Sequence, residues 1–151
     1  MEEITNGVSA LDVEIFSTVE HVYDVLDSQG EAGREFYKRL LLTTEVVFPL
    51  VYRLFNVVFI SFLFSRWLAP ESKWNKLCLL PLIGMIADYG ENALVLTMLF
   101  NYPERLPGIA SAAGVLTTIK WFSNYVDYFL MAVGLFGVVW RYILRKRQAG
   151  G

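Results

Sequence analysis

The sequence predicts an all-α integral membrane bundle with three long transmembrane helices, or four if the last one breaks, and an amphipathic helix at the N-terminus. Hydrophobic residues make up 55% of the 151 residues and charged residues only 19%, which is less charge than a soluble domain of this size normally carries. The apolar residues also gather in stretches of about 20 residues, enough for a helix to cross the ~30 Å hydrocarbon core of a membrane. An ordinary soluble domain is therefore not expected.

Charged residues are divided unequally along the chain. Residues 1–35 contain nine acidic residues and one base, Arg34, for a local net charge of −8, whereas the rest of the chain has a net charge of +6. The first residues lack the basic and apolar regions of a secretory signal, so cleavage of a leader is not expected. This distribution predicts an acidic N-terminal region followed by a basic membrane region.

The N-terminal region is expected to be helical. Apolar residues within 11–26 recur at helical spacing and acids occupy the other face, which predicts an amphipathic helix. A stop and a turn are predicted at 28–30, and a second helix is predicted to begin at Glu31, because acids favour a helix N-terminus. Residues 1–40 are therefore expected to form acidic, amphipathic helices at the membrane surface.

The next region, 41–147, is expected to form the transmembrane bundle. Its first span is predicted at 44–68 and its second at 77–102, with a polar loop that contains a proline between them. Pro81 and Gly84 are expected to kink the second span, Pro81 because a proline inside a helix removes one hydrogen bond and clashes with the preceding turn. These two spans return the chain to the side of the membrane on which the first one began.

The last apolar stretch has two possible arrangements. After Gly108 no proline follows, and one straight helix from there would be ~58 Å long, which exceeds the thickness of a bilayer. A break near 120–124 would divide it into two spans. We favour one long helix, because 120–124 contains no residues that strongly favour a reversal of the chain. Residues 148–151 are expected to be a tail.

Lysine and arginine residues give the expected orientation. In the three-span arrangement, the basic cluster at 145–147 and four further bases lie on one side of the membrane, which the positive-inside rule assigns to the cytoplasm. We therefore expect a multi-pass protein with a cytoplasmic C-terminus. The expected partners are the lipid bilayer, a lipid or small polar ligand, and a second copy of the chain or another membrane protein. No nucleic-acid partner is expected, since basic patches with interleaved aromatics are lacking.

Each predicted span carries polar residues along one helix face. Spacings of three, four or seven residues place the members of each group on the same side of their helix. An ionisable group near the centre of a bilayer costs ~2.5–3.5 kcal/mol on insertion scales, so these faces are expected to turn toward one another. These residues are termed the polar cluster: Arg53 and Asn56 in the first span, Asp88, Glu91 and Asn92 in the second, and Lys120, Asn124 and Asp127 in the third.

The polar cluster supports three hypotheses. The favoured one is a non-enzymatic binding or scaffold subunit, in which ion pairs and amides fix the helices or hold a polar ligand. The alternative is a small intramembrane enzyme for a lipid or other apolar substrate. Asp88 and Glu91 are then the candidate acid or base, because paired carboxyls favour proton transfer, and Arg53 or Lys120 stabilises charge. The third is an oligomeric conduit for ions or solutes.

Cofactor and metal chemistry are not predicted. Cys78 is the only cysteine and His21 the only histidine, too few for a thiolate or histidine metal site. The tyrosines are expected to serve packing or the membrane interface, although Tyr89 and Tyr125 are placed to donate hydrogen bonds into the polar cluster. We therefore expect no metal and no cofactor.

Several short motifs resemble a family of small, uncharacterised polytopic membrane proteins that is common among bacteria. The matching residues, spread over 23–135, are Tyr23, Leu26, Asp27, Gly30, Glu31, Gly33, Arg34 and Tyr37; Phe48, Pro49, Leu50 and Tyr52; Asp88, Tyr89, Glu91 and Asn92; Tyr102 and Pro103; Thr117, Lys120 and Trp121. Members of that family generally begin with an additional hydrophobic segment that this sequence does not contain, so their topology is not transferred unchanged. The resemblance implies a polytopic membrane protein and adds weight to Asp88, Glu91, Asn92 and Lys120, but it implies no reaction.

Overall fold

The computed structural model describes residues 19–149. Within that range the chain forms five α-helices and one 3₁₀ helix, and the same range contains no strand. The predicted all-α fold class is confirmed. The beginning of the amphipathic helix predicted at 11–26 lies outside the described residues, as do the last two residues of the predicted tail.

The first two helices are short and separated by a turn. Helix α1 is Val19–Ser28 and helix α2 is Gly30–Leu42, so the predicted turn is present. Gly30 has a φ angle of +64°, in the left-handed region, which glycine adopts at little cost because it has no Cβ. This residue lets the chain change direction between the two helices.

Helix α3, Thr44–Trp67, is the first of three long helices. Its 24 residues correspond to about 36 Å, close to the predicted span at 44–68. Pro49 lies inside this helix and has no amide hydrogen to donate to the carbonyl of Glu45, four residues earlier. The side-chain nitrogen of Asn92 donates to that carbonyl at 3.3 Å. The proline therefore creates an acceptor that a neighbouring helix uses.

Helix α4, Pro81–Asn101, follows a 3₁₀ helix at Lys73–Leu79. The expected kink at Pro81 is wrong, because this proline occupies the first position of the helix. The missing amide hydrogen costs nothing there, since the first amides of a helix have no helical acceptor. The second predicted span thus begins as 3₁₀ helix and continues as α-helix.

Helix α5, Pro107–Ala149, is continuous through 120–124, so the alternative with a break there does not occur. Its 43 residues would extend about 65 Å, well beyond a bilayer, and they continue past the predicted start of the tail at 148. Among the described residues, three helical segments are long and apolar enough to cross a membrane: Thr44–Trp67, Lys73–Asn101 and Pro107–Gln148.

The three long helices alternate in direction. Helices α3 and α5 run parallel, because residues further along one contact residues further along the other, whereas α4 meets α3 in the reverse order. The contacts that show this order are Arg53–Asp127 and Leu63–Gly134 between α3 and α5, and Glu45–Asn92 and Arg53–Gly84 between α3 and α4. The polar residues of all three helices consequently come to similar levels of the bundle.

Helices α1 and α2 pack against the parts of α4 and α5 that extend beyond the start of α3. Their apolar faces join these two longer helices in one hydrophobic core. The buried residues of this core are Val22, Tyr23, Val25, Leu26, Tyr37, Leu41, Val95, Met98, Leu99, Ala110 and Ala113. The N-terminal helices therefore belong to the packed bundle itself.

Large apolar side chains also cover the outside of the long helices. Val58, Ile86, Phe122 and Phe136 are each at least 67% exposed. An apolar surface of this extent marks a site of contact with a membrane or another protein. The outer surface of the bundle is thus apolar and the polar groups are turned inward.

Candidate functional site

Arg53 and Asp127 form an ion pair at the centre of the bundle. The arginine Nη1 lies 2.9 Å from Asp127 Oδ2, and both side chains are 0% exposed. Asn56 Nδ2 donates to the same oxygen at 2.9 Å, and Arg53 Nη1 is 3.4 Å from Ser123 Oγ. The pair therefore connects α3 to α5, and each charge compensates the other where both side chains are fully buried.

Lys120 forms a second ionic contact with two carboxylates of α4. Its Nζ lies 2.6 Å from Glu91 Oε2 and 3.9 Å from Asp88 Oδ1. Hydroxyl groups complete the arrangement, since Thr117 Oγ1 donates to Glu91 Oε1 at 2.7 Å and Tyr52 Oη donates to Asp88 Oδ2 at 2.9 Å. All three long helices are therefore joined through hydrogen bonds to these two acids.

Gly84 of α4 provides the space in which the Arg53 guanidinium lies. A Cβ atom on this residue would be 2.4 Å from Arg53 Cζ, far inside van der Waals contact. The guanidinium has no room to withdraw, because it is fully buried and bound to Asp127. A glycine at this position is thus a condition for the ion pair.

The variant Gly84→Ala should destabilise the fold by about 1–3 kcal/mol, the usual cost of overpacking a buried site. The matched control is Gly108→Ala, because a Cβ there would meet nothing within 4 Å and alanine favours the helix. The measurement is denaturation of the purified proteins in detergent, followed by circular dichroism. Equal stabilities of the two variants would show that Arg53 does not need this space.

A cleft of about 540 Å³ opens between α3 and α5, beside these ion pairs. Helix α4 contributes only Asp88 to its walls. Phe48 and Tyr128 stand at the outer surface, where they are 59% and 61% exposed. The lining consists of Glu45, Phe48, Tyr52, Asn56, Asp88, Lys120, Trp121, Asn124 and Tyr128. The cleft thus joins the apolar outside of the bundle to its polar interior.

The structure separates the eight residues of the polar cluster into three places. Four of them line the cleft, namely Asn56, Asp88, Lys120 and Asn124. Three lie buried next to it and pair with one another or with Lys120, namely Arg53, Glu91 and Asp127. Asn92 stands apart, bound to the Glu45 carbonyl. Of the two candidate acids, only Asp88 reaches the cleft.

The structure also places other residues in the site. Tyr52 was expected to serve packing, yet it donates to Asp88, whereas Tyr89 donates to the Val46 carbonyl at 2.6 Å and Tyr125 is 59% exposed. The sequence spacing indicates that Tyr52 belongs to the polar face of α3, because it precedes Asn56 by four residues. The same spacing argument applies to Ser123 and Thr117, which lie three residues from Lys120.

A second cavity, of about 410 Å³, lies at the opposite end of α3. In the described part of the chain its lining is apolar and contains no charged side chain: Phe64, Trp67, Leu68, Trp74, Leu77, Phe129, Leu130 and Val133. Polar groups that orient a ligand distinguish a specific site from a general apolar surface. The cleft is therefore the candidate functional site.

No protein-family model, curated protein or solved structure matches this chain. The family resemblance of the short motifs accordingly stays a prediction. The function of the cleft must be inferred from its own residues and geometry.

Proposed function

We propose that the chain is a multi-pass integral membrane protein that binds the polar part of an amphiphilic ligand in the cleft. The observation that carries this proposal is the cleft itself, with Asp88 and Lys120 on its walls and a volume of about 540 Å³. Ligand sites in proteins commonly have volumes of ~300–1,000 Å³ and contain a few polar groups among apolar ones. The cleft has both properties.

The position of the mouth supports an amphiphile rather than a wholly polar ligand. Phe48 and Tyr128 are exposed on the apolar outer surface of the bundle, so a ligand enters from the lipid phase. Its polar part would then reach Asp88 while its hydrocarbon part stays beside α3 and α5. Exposing the cleft to lipid without a polar ligand would leave the Asp88 carboxylate poorly solvated.

The buried ion pairs serve as the scaffold of this binding site. The Arg53–Asp127 pair fixes α3 against α5, and the Lys120–Glu91 pair fixes α5 against α4. Buried pairs add little net stability, and in some proteins they specify geometry instead. We infer that they hold the walls of the cleft at a set distance.

A cleft-filling variant tests the proposed function. In Asn124→Trp the larger side chain should occupy the cleft, and the amount of lipid that copurifies with the full chain should fall at least about tenfold by native mass spectrometry. The control is Phe122→Trp on the same helix, which is 69% exposed and outside the cleft lining. Retention of lipid by Asn124→Trp, or equal loss in both variants, would contradict the proposal.

Acid–base chemistry on a lipid is a second candidate function. It is favoured by the hydrogen bond of 2.9 Å between Tyr52 and Asp88, which places a carboxylate and a phenol at the cleft. Glu91 does not line the cleft, so of the two candidate acids predicted from the sequence we propose only Asp88 for this role. Products formed from a membrane lipid extract by the wild-type chain, and absent with Asp88→Asn, would support it.

We further propose that the C-terminus is cytoplasmic. The end of the bundle at which α3 terminates carries seven basic residues in the described range, against four at the other end: Arg66, Lys73, Lys76, Arg141, Arg145, Lys146 and Arg147, against Arg34, Lys38, Arg39 and Arg105. The positive-inside rule assigns the first end to the cytoplasm.

A single cysteine tests this orientation, made as Gln148→Cys in a Cys78→Ser background. An impermeant maleimide should label this cysteine only after cells are permeabilised. Labelling in intact cells would show that the C-terminus lies on the opposite side of the membrane.

A further inference from the structure

Both bases of the buried site are already paired with carboxylates. Arg53 lies 2.9 Å from Asp127, and Lys120 lies 2.6 Å from Glu91. Asp88 is the third carboxylate of the site, and its contact with Lys120 is 3.9 Å long. Because Lys120 carries one charge and faces two acids, the formal charges of these five described residues sum to −1. That charge belongs mainly to Asp88, the acid on the cleft wall.

A second acid lines the same cleft. Glu45, in the first turn of α3, is part of the lining together with Asp88. Neutral polar groups add to this, since Asn56 uses its side-chain nitrogen to bind Asp127 and keeps its amide oxygen as an acceptor. The described lining of the cleft therefore contains two acids and one base.

Aromatic rings form much of the remaining lining. Phe48, Tyr52, Trp121 and Tyr128 all contribute, and the Arg53 guanidinium already lies over the Tyr52 ring, 4.8 Å from its centroid. The faces of such rings attract a cation through their quadrupole, and aromatic groups combined with a carboxylate are the common means of recognising an organic ammonium. The wall of the cleft thus combines aromatic rings with a carboxylate, the two elements of an ammonium site.

We propose that the cleft selects an organic ammonium group, so that the ligand is a cationic amphiphile. This inference rests on the proposed function and specifies its ligand class. The ammonium lies next to Asp88 and against the aromatic rings, where it supplies the positive charge that the site lacks. The hydrocarbon chain leaves between Phe48 and Tyr128 into the lipid.

Lys120 does not make the cleft a site for anions. Although this residue is part of the lining, its ammonium group is in direct contact with Glu91. An anionic head group at the same place would face Asp88, and the only base in the described lining, Lys120, is already bound to Glu91. Like charges in a region of low dielectric repel strongly.

Three probes with the same twelve-carbon chain separate the possibilities: dodecyltrimethylammonium, dodecyl phosphate and dodecyl maltoside. Each is titrated against the purified full chain in a neutral detergent, and binding is measured by native mass spectrometry. We expect the ammonium probe to bind about tenfold more tightly than either of the others, as removal of one cation contact typically changes affinity by that factor. Asn124→Trp should abolish its binding.

Substitutions of Asp88 and Glu45 test which acid gives the cleft its selectivity for an ammonium group. Asp88→Asn keeps an acceptor for Tyr52 and removes the charge, and it should weaken binding of the ammonium probe about tenfold without changing that of dodecyl maltoside. Glu45→Gln, in the first turn of α3 and part of the cleft lining, should give a smaller loss in the same direction. The matched control is Glu71→Gln, an exposed acid at the far end of the bundle, which should have no effect.

The outcomes distinguish this inference from the proposed function. If all three probes bind with similar affinity and Asn124→Trp blocks them all, the cleft binds amphiphiles without selecting ammonium, and only this inference fails. If dodecyl phosphate binds more tightly than the ammonium probe, the inference of an ammonium ligand also fails, while the proposed function remains. If Asn124→Trp changes the binding of no probe, both proposals fail.

Discussion

The variant Lys120→Met should be the most destabilising single substitution in this protein, with an expected loss of at least about 3–5 kcal/mol. Methionine is similar in length but removes the ammonium that lies 2.6 Å from Glu91 and 3.9 Å from Asp88. Two carboxylates on neighbouring turns of α4 would then share a region of low dielectric without a base. The loss is measured as the shift in the midpoint of unfolding by dodecyl sulfate, followed by circular dichroism.

A second substitution tests the cause of this loss. Lys120→Met combined with Glu91→Gln should recover a large part of the stability, because the amide is neutral and still accepts the hydrogen bond that Thr117 donates to Glu91. The control is Lys73→Met, an exposed lysine of the 3₁₀ helix, with an expected change of less than about 0.5 kcal/mol. If Lys120→Met and Lys73→Met have the same effect, the buried contact contributes nothing to stability.

The variant Arg53→Met should cost about 3–5 kcal/mol for a related reason. Asp127 would keep the hydrogen bond from Asn56 but lose the only base within ion-pair distance in the described part of the chain. The same unfolding measurement applies. Arg66→Met is the control, because Arg66 lies on the same helix and is exposed.

The double variant Arg53→Met with Asp127→Asn separates charge from packing. It removes both charges while the asparagine still accepts from Asn56, so its stability should return to within about 1–2 kcal/mol of the wild-type value. A coupling energy close to zero between the two substitutions would show that the pair acts only through the volume of its side chains.

The positions of the helices were largely predictable from the sequence. Apolar length predicted the first span at 44–68, and the structure has Thr44–Trp67. The single long helix favoured for the last stretch is present as Pro107–Ala149. These predictions succeeded because the length of an apolar stretch and the absence of turn residues are local properties, which do not depend on neighbouring helices.

The partners of the polar residues were not predictable in the same way. Spacing showed that Asp88 and Glu91 share a face, but it did not show that Glu91 binds Lys120 closely while Asp88 lies on the cleft wall. Two helices with polar faces can be rotated or shifted by one turn and still bring those faces together. The register between them depends on packing contacts such as that between Gly84 and Arg53.

By itself, the sequence determined that the chain is helical, that three helices are long enough to cross a membrane, and that their charged groups belong on shared inward faces. The tertiary structure alone decided that Arg53 pairs with Asp127, that Asp88 shares Lys120 with Glu91, and that a cleft opens beside Asp88. The physical reason is that the cost of burying a charge can be judged from the sequence of a single helix. The choice of its partner depends instead on distances of a few ångströms between helices.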